Sequence, residues 1–381
     1  MRLGILAAFI LVLFSCTATD QRMIAEASKA GSIEAALESF SKQKARQYQQ
    51  NPQAVIQDIE NIQRLLALLF DNASRKWGER NTDVPSREKY VKYTQDYAAR
   101  AIVDFPAGKV TVETVNASDV NIQMRNAIVT TLLSTDDPAA TDIFSDAEPQ
   151  FNGLPFLFNQ VLDHDGKPIR YEWRAGRFAD HLIRTKLVAK QSGGRAVHSV
   201  TFALVDNHEH LRKQQYSDYV LASAAKYQVS PSLIYAIIEA ESSFNPFAVS
   251  SANAYGLMQV VPATAGKDVY TRVKKRSDMP TKTVLFRPKD NIDIGVAYLH
   301  ILQDIYLNKI VDNQSKHYAT ISAYNGGAGN VFKTFHSERT RAPSVINQLS
   351  SDQVYQKLTN AHPRQESRRY LYKVVKFKEN Y

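Results

Sequence analysis

Glu241 is the residue in this chain best suited to moving a proton. It lies in the run Ile237-Ile238-Glu239-Ala240-Glu241-Ser242-Ser243-Phe244-Asn245-Pro246, which holds no Lys or Arg, and no further Asp or Glu follows until Asp268. A carboxyl against apolar surface, with no cation near it in sequence, is expected to keep its proton near neutral pH and so to serve as a general acid. Glu239, two positions earlier, points to a different face of a helix and makes a poor partner for it.

Three further strings sit downstream in a fixed order. The first is Ser250-Ser251-Ala252-Asn253-Ala254-Tyr255-Gly256-Leu257-Met258-Gln259, followed closely by Pro262-Ala263-Thr264-Ala265. Much later come Ser322-Ala323-Tyr324-Asn325-Gly326-Gly327 and Pro363-Arg364-Gln365-Glu366-Ser367-Arg368-Arg369-Tyr370. No pair of His or Cys at metal-ligand spacing accompanies Glu241, and the nearest Gly-rich run lacks the Lys-Ser/Thr ending of a phosphate loop. Neither a metal nor an organic cofactor is expected.

Together these strings resemble the signature of the family 23 lytic transglycosylases, which share a goose-type lysozyme fold: a Glu-Ser pair, a Gly-Leu-Met-Gln turn, an Ala-Tyr-Asn segment and a late Glu-x-x-x-Tyr. Asn291-Ile292, Gly295 and Tyr298-Leu299 match a structural helix of the same domain, so the likeness covers about residues 206–381. Lys76-Trp77-Gly78 and Lys89-Tyr90-Val91-Lys92-Tyr93-Thr94 resemble the N-terminal region of a membrane-bound member of that family.

The resemblance implies an enzyme acting on the glycan strands of peptidoglycan, at the bond from N-acetylmuramic acid to N-acetylglucosamine. Ordinary glycosidases use two carboxyls, whereas the motif region here offers one. One acid suffices if the substrate's N-acetyl oxygen attacks the anomeric carbon. Glu241 then donates a proton to the glycosidic oxygen and afterwards takes the proton of the sugar's C6 hydroxyl, leaving a 1,6-anhydromuramyl end.

By the same resemblance, Tyr324 stabilises or orients the N-acetyl group, Ser250 hydrogen-bonds nearby, and Gln259 and Met258 line sugar subsites. Asn325 orients the Tyr324 segment, and Ser242, Glu366 and Tyr370 support the site. A core role for Met258 and a buried supporting role for Glu366 and Tyr370 stay open beside direct substrate contact. Two other functions also stay open: a hydrolytic muramidase of lysozyme type, and a wall-binding lipoprotein without catalysis.

The elements that must position these residues follow from periodicity. Apolar residues recur at helical spacing over residues 32–75, in two stretches separated at Asn51-Pro52. Residues 109–115 alternate with period two and read as a strand after the turn Pro106-Ala107-Gly108, and residues 197–205 read as a second strand. Residues 120–133 suit a helix, and 171–187 are mixed. Beyond Asp206-Asn207-His208-Glu209 the chain reads almost wholly helical, with one helix over 216–227. The next starts at Ser230-Pro231, in a cap-then-Pro arrangement, and stops before Asn245-Pro246, which puts Glu241 in its last turn. The helix dipole there also disfavours an ionised carboxylate. The expected architecture is two domains, α+β over 31–205 and a mainly α, lysozyme-like catalytic domain over 206–381.

The chain's length of 381 residues allows about two domains. Its first residues form an apolar run too short for a comfortable membrane span, which reads as a signal over 1–15. Leu13-Phe14-Ser15-Cys16 resembles the bacterial lipobox, which implies cleavage before Cys16 and acylation of that residue, the only cysteine in the chain. Residues 16–30 are small and polar and read as a tether. Thr17, where an Asp would mark retention in the inner membrane, directs the expectation to the periplasmic face of the outer membrane.

Residues 1–205 carry 24 Lys and Arg against 23 Asp and Glu, while 206–381 carry 23 against 15, so the C-terminal part holds +8 of the net +9. A basic field favours a polyanion, and export points to an acidic wall polymer and away from nucleic acid. Lys274-Lys275-Arg276 reads as a solvated loop. No partner protein is legible, and the N-terminal domain carries no catalytic constellation.

Overall fold

The computed structural model describes residues 53–151 and 153–381. The expected signal, the tether with Cys16 and the helical stretch before residue 53 lie outside the described residues. A helix α1 (Gln53–Trp77) opens the described chain. Five strands follow, β1 (Lys89–Thr94), β2 (Ala99–Asp104), β3 (Lys109–Thr114), β4 (Val188–Ser192) and β5 (Arg195–Ala203), in one antiparallel sheet ordered β1-β2-β3-β5-β4. Helices α2 (Val120–Leu133) and α3 (Glu172–Lys186) lie between β3 and β4 in sequence and pack on each other and on the sheet.

At β1 the sheet is buried on both faces, which is why that strand does not read as a simple alternation. Val91 and Tyr93 pack with Leu69, Ala73 and Trp77 of α1, whereas Tyr90 faces the main core. The β1–β2 turn, Gln95-Asp96-Tyr97, holds three consecutive residues at positive φ (56°, 54° and 60°) without a glycine. That turn carries none of the usual hairpin signals, so β1 and β2 escape a reading by turn chemistry. Next to Trp77, Arg100 and Glu113 face each other across β2 and β3, joined at 2.6 Å, with the guanidinium 4.0 Å over the indole.

The C-terminal part is helical, as expected. It comprises α4 (His208–Gln215), α5 (Ser217–Tyr227), α6 (Pro231–Ser242), α7 (Lys267–Arg272), α8 (Lys282–Phe286), α9 (Pro288–Ile301) and α10 (Asn313–Gly326). After these come α11 (Ala328–Phe335), α12 (Ala342–Ile346), α13 (Ser351–Ala361) and α14 (Gln365–Lys378). Single π-helical turns precede α7 (Pro262–Gly266) and follow α9 (Leu302–Tyr306). Helix α6, with Leu233, Ile234, Ala236, Ile237 and Ile238 buried, packs against α5 and α14. Ser230 stands at its N-cap with Pro231 at the first turn, but the Ser230 hydroxyl makes no cap bond and pairs with Ser232 at 2.8 Å.

One hydrophobic core runs from the sheet into the helical part without a break. Tyr90 of β1 lies 5.0 Å from Phe156 and 4.8 Å from Phe247, and those two rings are 5.3 Å apart, which fuses the two halves through an aromatic triple. The polar run at 206–209 leads directly into α4, whose Arg212 is buried at 2% exposure, 4.7 Å over Phe105 and bonded to Gln160, His208 and the Ser243 carbonyl. Loss of solvent lowers its pKa to about 10. In the 274–276 loop, Lys274 pairs with Asp293 at 2.6 Å and Arg276 pairs with Asp278, so this basic run is largely tied up in ion pairs.

Candidate active site

Helix α6 ends with its last residue, Ser242, and the next two residues, Ser243 and Phe244, adopt left-handed conformations at φ 51° and 60°. This reversal leaves Glu241 in the last turn at 4% exposure. The Ser242 hydroxyl is fully buried, 3.0 Å from the Ile238 carbonyl and 2.8 Å from the Leu257 carbonyl, and shares its proton between them. The end of the acid's helix is thereby bound to the Gly-Leu-Met-Gln turn.

That turn needs its glycine. Gly256 sits at φ +68°, where a Cβ would lie 2.5 Å from Asn291 Nδ2 and 2.6 Å from the Leu285 carbonyl. Asn291, wholly buried, donates to the Tyr255 and Leu285 carbonyls and accepts from Met258 N–H, so one amide side chain ties the Gly-Leu-Met-Gln turn and the end of α8 to α9. Gln259 is 7% exposed, and its Nε2 donates to the Ala248 and Gly256 carbonyls at 3.1 Å each. Its Oε1 is buried and has no partner within the protein.

Met258 is fully buried, and Gly295 of α9 makes room for it, since a Cβ there would meet the sulfur at 2.4 Å. The side chain therefore belongs to the core, and the exposure that lining a sugar subsite requires is absent. Its carbonyl does face the site and accepts from the Tyr324 hydroxyl at 2.8 Å. Tyr324 is partly buried, with Tyr298 5.7 Å away ring to ring. Its pKa stands well above the usual phenol value because of burial first and the neighbouring Glu241 charge second. The Ser250 hydroxyl accepts from Ala254 N–H at 3.3 Å and closes its own loop.

The late string folds back onto this group. Ser367 donates to Asn325 Oδ1 at 2.7 Å and so locks α14 to the end of α10. Gly326 allows that closeness, since a Cβ there would be 2.6 Å from both Ser367 Oγ and His362 Cε1, and Gly327 at φ +83° turns the chain into α11. Tyr370 is buried, its hydroxyl beside the Glu241 carboxyl but in a geometry short of a formed hydrogen bond. Glu366 is 63% exposed at its side chain, which removes the reading of it as a buried support.

The sequence gives no sign of the group that meets both acids. Arg87, in the loop before β1, places Nη1 3.3 Å from Glu366 Oε1 and 3.9 Å from Glu241 Oε2. Glu241 therefore does have a cationic neighbour, and the N-terminal half supplies it. Asn245, fully buried, holds that loop by donating to the Ser86 and Arg87 carbonyls at 3.4 and 3.2 Å. Glu239 turns away as its position predicts, accepting from the Tyr381 hydroxyl at 2.6 Å.

Burial is the largest influence on Glu241 and raises its pKa from 4.5 to about 7. Arg87, Tyr370 and Lys373 pull it down, and the Glu366 charge pushes it up. A carboxyl in this state is close to half-protonated near neutral pH, the condition for both giving and taking a proton. Beside Tyr298, Thr264 and Lys267 line an open groove of about 440 Å³.

Residues 55–215 match the model of the N-terminal domain of membrane-bound lytic murein transglycosylase C, and residues 218–347 match the transglycosylase SLT domain. Proteins named membrane-bound lytic murein transglycosylase C from Yersinia pestis (strain Pestoides F) and Yersinia pseudotuberculosis are each 45% identical over 327 residues, covering 86% of this chain and 91% of theirs. Among solved structures, an inactive mutant of lytic transglycosylase Slt from Pseudomonas aeruginosa is matched at 25% identity and a TM-score of 0.34, over 43% of this chain and 23% of that one. The 70 kDa soluble lytic transglycosylase of Escherichia coli is matched at 24% and 0.33, with the same coverage, so the chain spans under a quarter of either protein. With both domain models matched in order and 45% identity across most of both chains, the chain belongs to the membrane-bound lytic murein transglycosylase C family.

Proposed function

We propose that this chain is a peptidoglycan lytic transglycosylase in which Glu241 is the acid and then the base. Its family carries that activity in its name. The observation that supports Glu241 is its state: 4% exposed, at the end of α6, with a pKa raised by burial to about 7.

The neutral carboxyl gives its proton to the oxygen linking N-acetylmuramic acid to N-acetylglucosamine, and the bond from the anomeric carbon to that oxygen breaks. The N-acetyl carbonyl oxygen bonds to the anomeric carbon in its place. The sugar's own C6 oxygen then displaces it, passing its proton to the Glu241 carboxylate, so a 1,6-anhydro ring forms, no water is consumed and the acid is restored.

Tyr324 suits the N-acetyl group. Its proton is committed to the Met258 carbonyl, which leaves the phenol oxygen free to accept the acetamido N–H. Gln259 shapes the Gly-Leu-Met-Gln turn from within, through the Nε2 bonds to the Ala248 and Gly256 carbonyls. Ser250 closes the loop that leads into the same turn, Met258 acts through its carbonyl, Asn325 and Ser242 hold the parts together, and Tyr370 stands beside the acid.

One observation favours hydrolysis. Glu366 is a second carboxylate close to the same guanidinium as Glu241, and two carboxyls are what a hydrolase uses. Against this, Glu366 is mostly exposed and already paired with Arg87. Mass spectrometry of digested wall separates the two mechanisms. Anhydromuramyl ends that disappear in Glu241→Gln support the transglycosylase. Products one water heavier, with reducing muramic ends, reject it, and a wild type that binds wall without cutting it rejects catalysis altogether.

The proposed organisation is a signal over 1–15, a tether over 16–30, an α+β unit over 31–205 and a catalytic unit over 206–381, with lipid on Cys16 anchoring the protein to the periplasmic face of the outer membrane. Several acyl chains on one residue give a stable anchor where a single chain does not. Among the described residues no helix is long and apolar enough to cross a membrane. Palmitate labelling abolished by Cys16→Ala, with the protein then released from outer-membrane fractions, tests the anchor; a variant still held there overturns it.

A further inference from the structure

We propose that Arg87 is a positioning residue of the active site, held by Glu366 at a distance from which it supports the Glu241 carboxylate without closing on it, so that the N-terminal half completes the catalytic centre. The proposal rests on the reading of Glu241 as acid and base given above. Three sets of contacts carry it.

The loop bearing Arg87 is fixed by the acid's helix, by α14 and by the aromatic core. Asn245, three residues after the end of the acid's helix, bonds the carbonyls of Ser86 and Arg87. Two crossed ion pairs join the loop to α14: Arg87 with Glu366 at 3.3 Å and Lys373 with Glu88 at 3.8 Å. Lys373 also donates to the Ala240 carbonyl at 3.3 Å, on the residue next to Glu241. Tyr90 of the following strand is sealed into the aromatic triple with Phe156 and Phe247. The guanidinium thus has a set place 3.9 Å from the acid, although it comes from the other half of the chain.

The distances define its action. At 3.9 Å from Glu241 and 3.3 Å from Glu366, Arg87 favours the more exposed partner. A guanidinium closed bidentate onto a catalytic carboxylate would trap it ionised and end its use as an acid. An absent guanidinium would leave the buried carboxylate formed on proton donation without an opposite charge. Glu366 keeps Arg87 between those extremes. The charged and titratable groups facing Glu241 are Arg87 from the loop, Glu366, Tyr370 and Lys373 from α14, and Tyr324 from α10. Of these, Arg87 exerts the largest pull toward the ionised form and Glu366 the opposing push.

The two residues should therefore move the pH profile in opposite directions. Initial rates of anhydro-product release from purified sacculi are measured against pH with the full chain and with Arg87→Gln, Arg87→Lys and Glu366→Gln. Loss of rate on the alkaline side marks ionisation of Glu241. Arg87→Gln should move that limb up by about one pH unit and lower the maximal rate about three- to tenfold, with KM little changed, because the acid becomes weaker. Arg87→Lys should restore part of both, and Glu366→Gln should move the limb down as Arg87 closes on Glu241.

A limb that stays in place in both Arg87→Gln and Glu366→Gln overturns the proposal. So does an equal loss of rate in Arg87→Gln and Arg87→Lys with an unmoved limb and a lowered unfolding temperature, which would make Arg87 a structural prop. If Glu241→Gln keeps its activity, the reading of Glu241 itself fails. If Glu241→Gln is dead and the limbs do not move, only the role of Arg87 does.

Discussion

Replacing Glu241 by Gln should abolish lysis and, at neutral and alkaline pH, stabilise the fold. The buried carboxyl has its pKa raised from 4.5 to about 7, chiefly by burial. Below the unfolded value the group is protonated in both states, and the amide, nearly the same shape, should change stability by less than about 0.5 kcal/mol. As pH rises past 4.5 the unfolded chain ionises while the folded one holds its proton, so wild-type stability falls until the folded pKa is passed. The loss is then constant.

A gap of about 2.5 pH units at about 1.4 kcal/mol each gives roughly 3.5 kcal/mol as an upper bound. Gln carries no such penalty. Urea unfolding of both proteins at pH 4 and pH 8 should thus show near equality at the first and a variant more stable by about 2–3 kcal/mol at the second. A difference of the same size at both pH values, or a variant less stable at pH 8, would refute the raised pKa and with it the acid role.

Other outcomes follow from the same contacts. Tyr324→Phe removes the hydroxyl bonded to the Met258 carbonyl and should cost about 1 kcal/mol of stability but at least tenfold in kcat, read together by thermal unfolding and product release. Gly256→Ala forces a Cβ against Asn291 and the Leu285 carbonyl at φ +68°; it should destabilise by more than about 2 kcal/mol and disorder the Gln259 turn, seen as loss of both Tm and activity. At Glu113, burial works to raise the pKa, but Arg100 and Lys190 outweigh it and hold the folded value below 4.5. Its contribution is present above that pH and fades as pH drops through the folded value. Glu113→Gln leaves Arg100, at 7% exposure, with only the more exposed Asp83 carboxylate at 3.1 Å, and should cost about 2–3 kcal/mol at pH 7 by urea unfolding, below the cost of a wholly unpaired buried charge, and progressively less in acid.

Several helices were legible because their signals are local. Residues 120–133 match α2 beside the sheet, and in the helical half the Ser-Pro start with a stop before Asn245-Pro246 matches α6 closely. The stop itself is made by left-handed Ser243 and Phe244, which no residue type there advertises. Strands β1 and β2 went unread because a sheet buried on both faces loses its period-two pattern, and because their turn reaches positive φ without glycine. Helix α3 was hidden by exposed Tyr171 and Trp173 at its start, which blur the apolar stripe. Asn291 was noticed only as part of a helix, although its amide is the clamp of the Gly-Leu-Met-Gln turn.

The chain's sequence by itself determined which carboxyl sits at the end of an apolar helix, which turn and which tyrosine accompany it, and that two kinds of domain follow one another. Those features rest on short-range spacing, where residue type and backbone geometry are enough. Only the tertiary structure decided the surroundings of that carboxyl. It buried the Met258 side chain and exposed that of Glu366. It also brought Arg87 to within 4.0 Å of two acids that lie far along the chain. A pKa depends on what lies within a few ångströms in space, and contacts closed by a shared aromatic core between two halves leave no trace in local spacing.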